Sequence, residues 1–309
     1  MSDDVESGLD EISERFSALW KALLHDGSHL RQIETRAILL DRVRDALDRG
    51  ESRLTTRSTE IIANTFTLEE LVHDGAVTQV FRARHRDLGT QHAIKVLRAD
   101  QAHDPIARRL LLREAEVGVL LRHPQILATQ TLLRLADGRP ALVLEWFGCT
   151  LSDCVAQRQL SVGDITGIMI SVLSGLAAIH ERHLVHCDLS PSNLLCDGSD
   201  FLSLKIADFG IAMEAGRRHG ELDLAFAGQP AFAAPEQIAG RPVDGRTDLH
   251  AAGRLLLLLL NHCDGPVGAA PRLSAFGHEL SARNPDERPK NAKAALLALR
   301  GLPLESKPA

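Results

Sequence analysis

The chain has 309 residues, of which 44% are hydrophobic and 25% charged, enough for about two domains with a core. A net charge of −6, with Lys and Arg mixed among acids, argues against a dedicated nucleic-acid or membrane surface. The longest apolar run, residues 255–260, is far shorter than the ~20 residues of a spanning helix. Five cysteines without C-x-x-C spacing indicate reduced thiols, so we expect a cytoplasmic protein.

Residues 1–60 are predicted to form a helical segment that ends in a linker. Apolar residues recur at three- and four-residue steps within 12–23 and again within 33–47, and the sequence His-Asp-Gly-Ser at 25–28 separates the two runs. A helical hairpin followed by a polar linker at 49–60 is therefore expected. Its apolar stripes pack within the protein, or they serve self-association or a partner. The sequence does not separate these alternatives.

The sequence pattern changes at Phe66, where short runs typical of β-strands begin. Strands are predicted at 66–71, 77–85 and 91–96, then a helix at about 106–122, a strand at 141–146 and a mainly helical remainder. The fold class is therefore α+β, with a β-rich small lobe at about 61–146. An α-rich large lobe follows at about 147–302, and residues 303–309 form a tail.

Two motifs between residues 183 and 210 place carboxylates at the spacing of a metal–nucleotide site. Asp188 precedes Asn193 by five residues, and Asp208 follows Asn193 by fifteen. One carboxylate can orient a hydroxyl while the amide and the second carboxylate bind Mg²⁺, which prefers oxygen ligands. The two motifs resemble H-R-D-x-x-x-x-N and D-F-G of the protein kinase family, with Cys187 in place of the arginine.

This resemblance, of a bacterial Ser/Thr kinase type, implies roles for particular residues. Asp188 would be the catalytic base, and Asn193 and Asp208 would bind Mg²⁺ or Mn²⁺. Lys95, which ends the V-A-I-K-like sequence at 92–95, would position the phosphates of ATP.

A helical glutamate should hold Lys95 in place. Glu114 has the family's usual offset from His123-Pro124. Glu116 is the weaker alternative, because it would point about 200° away on the helix.

The resemblance also implies the residues that surround the nucleotide. Val80, Ala93 and Leu195 would pack on the adenine, and backbone groups of Glu145 and Phe147 would meet its edge. The glycine-rich loop is degraded, since its three glycine positions hold His73, Gly75 and Thr78. Gly75 alone remains, so we expect weaker nucleotide binding than the full motif gives.

Matches on the substrate side extend the resemblance to about residue 300. Ala234-Pro235-Glu236 matches A-P-E, and its glutamate is expected to pair with Arg288. Asp248 is expected to brace the catalytic loop. The intact motif favours a protein acceptor.

Besides Cys187, the chain departs from the family pattern at two positions near the catalytic aspartate and at one on the helix of Glu114. Ser190 replaces a lysine and Gln229 a threonine that meet there in the family, which looks like a correlated change. Gly118 replaces an apolar residue behind Glu114, so we expect a gap.

The function expected is ATP- and Mg²⁺-dependent phosphotransfer to Ser or Thr of proteins. A pseudokinase that binds nucleotide as a scaffold and a kinase-fold small-molecule phosphotransferase are the alternatives.

Overall fold

The structure is a computed structural model that describes residues 3–27, 29–33, 35–36, 39–40, 43, 61–198, 200–222, 228–263 and 271–303. The predicted linker at 49–60, most of the predicted second helix and nearly all of the tail lie outside these residues. The chain divides into two compact units, one of residues 1–69 with 84–89 and the other of residues 70–83 with 90–309.

The first unit begins with helix α1 (Asp3–Leu24) and a short antiparallel ladder of β1 (His25–Asp26) with β2 (His29–Leu30). Arg31 closes this turn, since its Nε donates to the His25 carbonyl at 3.1 Å and its Nη1 lies 3.2 Å from Asp26. The first predicted helix and its break are thus present. The rings of Phe16 and Trp20 stack at 6.4 Å on an exposed face of α1.

Strand β3 (Ile61–Ile62) pairs with the start of β4 (Phe66–Asp74), and β5 (Thr78–His85) follows. In the second unit, β5 is followed across the sheet by β6 (Gln91–Leu97), β8 (Pro140–Glu145) and β7 (Thr129–Arg134). Helix α2 (Pro105–Leu120) lies between β6 and β7 in the sequence. Asp104 caps it by accepting from the N–H groups of Ile106 and Ala107, and Pro105 occupies the first turn.

The rest of the second unit is mainly helical. Its helices are α3 (Leu151–Gln157), α4 (Val162–His180), α5 (Pro235–Ile238), α6 (Gly245–Asn261), α7 (Pro271–Leu280) and α8 (Ala292–Gly301). Its short strands are β9 (Cys149–Thr150), β10 (Leu184–Val185), β11 (Leu194–Asp197), β12 (Asp200–Ile206) and β13 (Met213–Glu214). Strand β11 pairs antiparallel with both β9 and β12, and β10 pairs with β13.

Helix α4 is the centre of the large core. By length and hydropathy it resembles a membrane span, but half of it is buried inside the protein. Its buried side chains pack with those of α6, α7 and α8 in one apolar cluster. This burial accounts for the hydropathy of α4 as a core helix.

A buried ion pair joins the start of α5 to the segment before α8. Arg288 donates to both carboxylate oxygens of Glu236, at 2.7 and 3.0 Å, and to the backbone carbonyls of Ala282 and Arg246. The predicted pairing is therefore confirmed. Burial by itself raises the pKa of Glu236, but the hydrogen bonds from Arg288 lower it below its usual value.

Replacing Arg288 by Met should lower the free energy of unfolding by about 3–5 kcal/mol, because Glu236 would remain buried without its counter-charge. Urea denaturation at neutral pH measures this change. Arg217→Met is the matched control, since Arg217 pairs with Glu221 on the exposed surface, and it should cost no more than about 1 kcal/mol. Equal losses in the two variants would contradict this view of the buried pair.

The ion pair of Glu236 and Arg288 should make the stability of the protein depend on pH. A carboxyl whose pKa is lowered on folding stabilises the protein above its unfolded-state pKa and loses this contribution as the pH falls. The unaltered protein should therefore lose more stability than Glu236→Gln between neutral pH and about pH 3. Urea midpoints measured across this range test the difference, and parallel profiles for the two proteins would refute it.

Candidate active site

Lys95, near the C-terminal end of β6, lies between two carboxylates. Its Nζ is 2.7 Å from Glu114 Oε2 and 3.1 Å from Asp208 Oδ2. Both Lys95 and Glu114 are buried, whereas Glu116 is exposed. The structure thus selects Glu114 over Glu116 as the partner of Lys95.

The charges of this cluster follow from burial and proximity. Burial lowers the pKa of Lys95, but Asp208 and Glu114 more than offset this effect, so its pKa lies above the ordinary value. Burial raises the pKa of Glu114 to about 7 against the opposing effect of Lys95. Burial also raises the pKa of Asp208, yet Lys95 lowers it more, so that this carboxyl is ionised at neutral pH.

The loop that carries Asp188 is fixed by a buried aspartate. Asp248 Oδ1 accepts from the N–H of Cys187 at 2.9 Å, and its Oδ2 accepts from the N–H of His186 at 2.8 Å and lies 2.9 Å from His180 Nε2. Cys187 adopts a φ of 68°, a left-handed conformation that is costly for a residue with a side chain. The predicted brace is present, and it holds this strained residue.

Asp188 and Asn193 contact each other within the loop. The Asn193 side-chain amide donates to the backbone carbonyl of Asp188 at 2.8 Å and to its Oδ2 at 2.9 Å. Burial raises the pKa of Asp188, and Asp208 adds to this shift. Because the nitrogen of the Asn193 amide is used in this way, its oxygen is left as an acceptor for another group.

The segment that carries Asp208 is joined directly to this loop. The N–H of Ala207 donates to the Asn193 carbonyl at 2.9 Å, and the Ala207 carbonyl lies 3.0 Å from His186 Nε2. The rings of His186 and Phe209 meet edge to face at 5.2 Å, with Phe209 buried. Asp208 itself has a φ of 68°. Asn193 and Asp208 thus offer a neutral and an anionic oxygen, a donor set that would fit Mg²⁺.

The side chains expected to surround adenine belong to one apolar cluster. Ala93 is buried in it, and Val80 and Leu195 pack against it partly buried, as does the side chain of Phe147, whose backbone was expected to meet the adenine edge. The surface that they form is apolar and incompletely covered by the protein, as a binding surface for a flat ring should be.

Glu145 lies at the edge of this cluster. Its backbone N–H donates to the Ala128 carbonyl at 3.0 Å, so the N–H is already used inside the protein. Its carboxylate forms an ion pair with Lys205 at 3.0 Å, and Lys205 also lies over the ring of Phe147. Sequence reasoning missed Lys205. Its position on β12, opposite Leu195 of β11, follows only from the register of the two strands.

The turn between β4 and β5 is tight. Gly75 donates its N–H to the Thr78 carbonyl at 3.0 Å, and a Cβ on Gly75 would stand 2.9 Å from the His73 ring. The remaining glycine therefore allows close packing of the turn. Its N–H is satisfied within the turn by the Thr78 carbonyl.

Ser190 and Gln229 contact each other beside Asp188. Gln229 Nε2 donates to Ser190 Oγ at 2.9 Å and to Ser192 Oγ at 2.8 Å, and the two hydroxyls are 3.0 Å apart. The backbone N–H of Gln229 lies 3.2 Å from Asp188 Oδ1. A neutral network therefore stands where the resemblance predicts a lysine. Ser192 was not foreseen.

The prediction of a gap beside Gly118 is wrong. Thr129, a buried residue of β7, fills the space, and a Cβ on Gly118 would stand 3.0 Å from the Cβ of Thr129. The small residue on the helix is thus matched by a branched residue on the strand. Nothing local in the sequence connects positions eleven residues apart on two different elements.

Comparisons with known proteins agree with this geometry. The family model of the protein kinase domain matches residues 66–268. The serine/threonine-protein kinase PknF of Mycobacterium tuberculosis is 31% identical over 237 residues, which cover 72% of this chain and 50% of PknF. The serine/threonine-protein kinase pkn3 of Myxococcus xanthus is 30% identical over 252 residues, 76% of this chain and 46% of pkn3.

The crystal structure of the Mycobacterium tuberculosis PknI kinase domain is similar with a TM-score of 0.60 and 26% identity, covering 80% of this chain and 99% of that domain. The chain spans about a third to a half of the length of the curated relatives it matches. The family match and the arrangement of a β-sheet lobe followed by a helical lobe lead to one conclusion, that this chain belongs to the protein kinase domain family.

Proposed function

We propose that this chain is an active Ser/Thr protein kinase, which transfers the γ-phosphate of ATP to a hydroxyl of a protein. The observation that carries this proposal is the ion-pair cluster of Lys95, Glu114 and Asp208. In protein kinases this lysine–glutamate pair and the metal-binding aspartate must both be in place for catalysis. The relatives named as Ser/Thr kinases support the same reaction.

Each residue is assigned a role that its contacts support. Lys95, held protonated, binds phosphate oxygens and is oriented by Glu114. Asp188 accepts the proton of the substrate hydroxyl, a role for which its raised pKa is suited. Asp208 and Asn193 hold Mg²⁺, which neutralises phosphate charge when bound.

The surface of Val80, Ala93 and Leu195 receives the adenine ring. The carbonyl of Glu145 and the backbone of Phe147 are the groups left to recognise its polar edge, since the N–H of Glu145 is already bonded. Recognition by so few polar groups on an apolar surface is usual for small-molecule sites. With the turn at Gly75 closed, we expect modest affinity for ATP.

The experiment that tests this function is transfer of label from γ-labelled ATP with Mg²⁺ to generic acceptor proteins. Asp188→Asn should reduce the transfer rate by about 10²–10⁴, because it removes the base but keeps the shape of the side chain. Asp208→Asn should be similarly impaired. Asp197→Asn, which changes an exposed carboxylate at the end of β11, is the control and should be fully active.

The outcomes separate the alternative functions. Label on protein that disappears in both variants establishes the proposed reaction. Failure of the unaltered chain to label any protein, while ATP raises its melting temperature, would sink the proposal in favour of a scaffold. Label on a metabolite instead would identify a small-molecule phosphotransferase.

Gln229→Ala should lower kcat by about tenfold and leave the KM for ATP unchanged. The substitution removes two neutral hydrogen bonds to the catalytic loop, each of which contributes about 1 kcal/mol, and tenfold in rate corresponds to about 1.4 kcal/mol. The backbone N–H that reaches Asp188 is retained. Steady-state kinetics beside Gln159→Ala, an exposed control, measure the effect. An unchanged kcat would show that the network is only structural.

A further inference from the structure

Three cysteine side chains converge below the proposed nucleotide site. Cys154 Sγ lies 3.3 Å from Cys149 Sγ and 3.2 Å from Cys196 Sγ, and all three sulfur atoms lie within 4.8 Å of one another. The residues come from three different elements, β9, α3 and β11. All are free thiols. None of them belongs to the catalytic machinery described above.

The positions of the three thiols are fixed by the backbone. Cys149 and Cys196 stand opposite each other in the antiparallel ladder of β9 with β11. Helix α3 is tied to the end of β9 by a capping box in which Thr150 and Asp153 exchange hydrogen bonds. Cys154, in the next position of the helix, is thereby held against the ladder. Convergence of the sulfur atoms is thus a property of rigid elements.

The surroundings suit a metal–thiolate centre. Cys154 and Cys196 are buried in an apolar cluster, while Cys149 is half-buried at its edge. Burial raises the pKa of Cys149 and the pKa of Cys196, so these thiols are neutral in the absence of a cation. The backbone N–H of Gly198 donates to the Cys149 sulfur. Such outer donors commonly support sulfur ligands of metals.

We propose that Cys149, Cys154 and Cys196 form a binding site for one thiophilic cation, with Zn²⁺ as its representative. Soft thiolate ligands select Zn²⁺ and Cu⁺ over Mg²⁺. The site is therefore chemically distinct from the oxygen ligands of Asn193 and Asp208. Because Cys149 is only half-buried, solvent can supply a water as the fourth ligand.

Little movement is needed to admit the ion. A Zn–S distance of about 2.3 Å places tetrahedral sulfur ligands about 3.8 Å apart, so Cys154 Sγ must separate from each of the other two sulfur atoms by roughly half an ångström. Binding also requires that each thiol lose its proton. The reaction is one Zn²⁺ with three thiols, giving a tris-thiolate complex and three protons, with no oxidation or reduction.

The first test uses the unaltered chain, reduced and freed of metal with a chelator. Titration with Zn²⁺ in competition with a chromophoric chelator should give one tightly bound ion per chain. Zn²⁺ should slow alkylation of Cys149 by iodoacetamide at least about tenfold, a protection by ligation, while Cys263 should react at the same rate with and without metal. Peptide mass spectrometry distinguishes the two residues. No uptake, or equal alkylation of Cys149 in both states, overturns the proposal.

The second test uses variants. Since loss of an outer-shell partner already weakens metal binding by about 10–100-fold, Cys149→Ser and Cys154→Ser should each weaken Zn²⁺ binding by about a hundredfold or more. Cys263→Ser, at a half-buried thiol outside the cluster, is the control and should bind normally. Retention of tight binding when Cys149 and Cys154 are both replaced overturns the assignment. So does a disulfide within the cluster of the air-exposed chain combined with no Zn²⁺ uptake by the reduced chain.

Discussion

The carboxylate of Asp248 is the constraint on which the catalytic loop depends. Burial alone would raise its pKa, but the hydrogen bond from His180 and the backbone donors lower it below the usual value, so the buried group is ionised. An ionised carboxylate is a strong acceptor for backbone N–H groups. It can therefore hold Cys187 in a left-handed conformation that would otherwise relax. This arrangement sets the direction of the Asp188 side chain. It also sets the position of the His186 ring against Phe209.

Beside the catalytic loop, a neutral hydrogen-bond network stands where the family has a positively charged lysine. A lysine near Asp188 would supply positive charge where phosphate charge develops, an effect that can contribute about 10²–10³ in rate. The amide of Gln229 and the hydroxyls of Ser190 and Ser192 supply dipoles instead, and they satisfy one another. Such a network orders the loop but offers less stabilisation to an anion. The proposed phosphotransfer would therefore depend more heavily on Lys95 and on the oxygens proposed to bind Mg²⁺.

The sequence predicted the parts of the site that local spacing determines. Glu114 was preferred to Glu116 because it has the family's offset from His123-Pro124 and because Glu116 would point about 200° away on the helix, and the loop residues were identified by fixed offsets. It did not predict contacts that depend on how elements pack. Thr129 fills the space beside Gly118 from another element, and Cys149 meets Cys196 only through strand register. Ser190 and Gln229 were expected to change together, but their direct hydrogen bond follows from the course of the chain after Asp208, which no short pattern specifies.

Strand β11 connects the two kinds of chemistry in this unit. Successive side chains of a strand point to opposite faces, and here Leu194 and Cys196 face the large core while Leu195 faces the apolar cluster of the proposed adenine site. Asn193 immediately precedes the strand. A cation bound by the cysteines would thus stand behind Leu195 without touching a nucleotide. Because the backbone of β11 is bonded to both β9 and β12, any coupling between the two sites would act through the position of this strand.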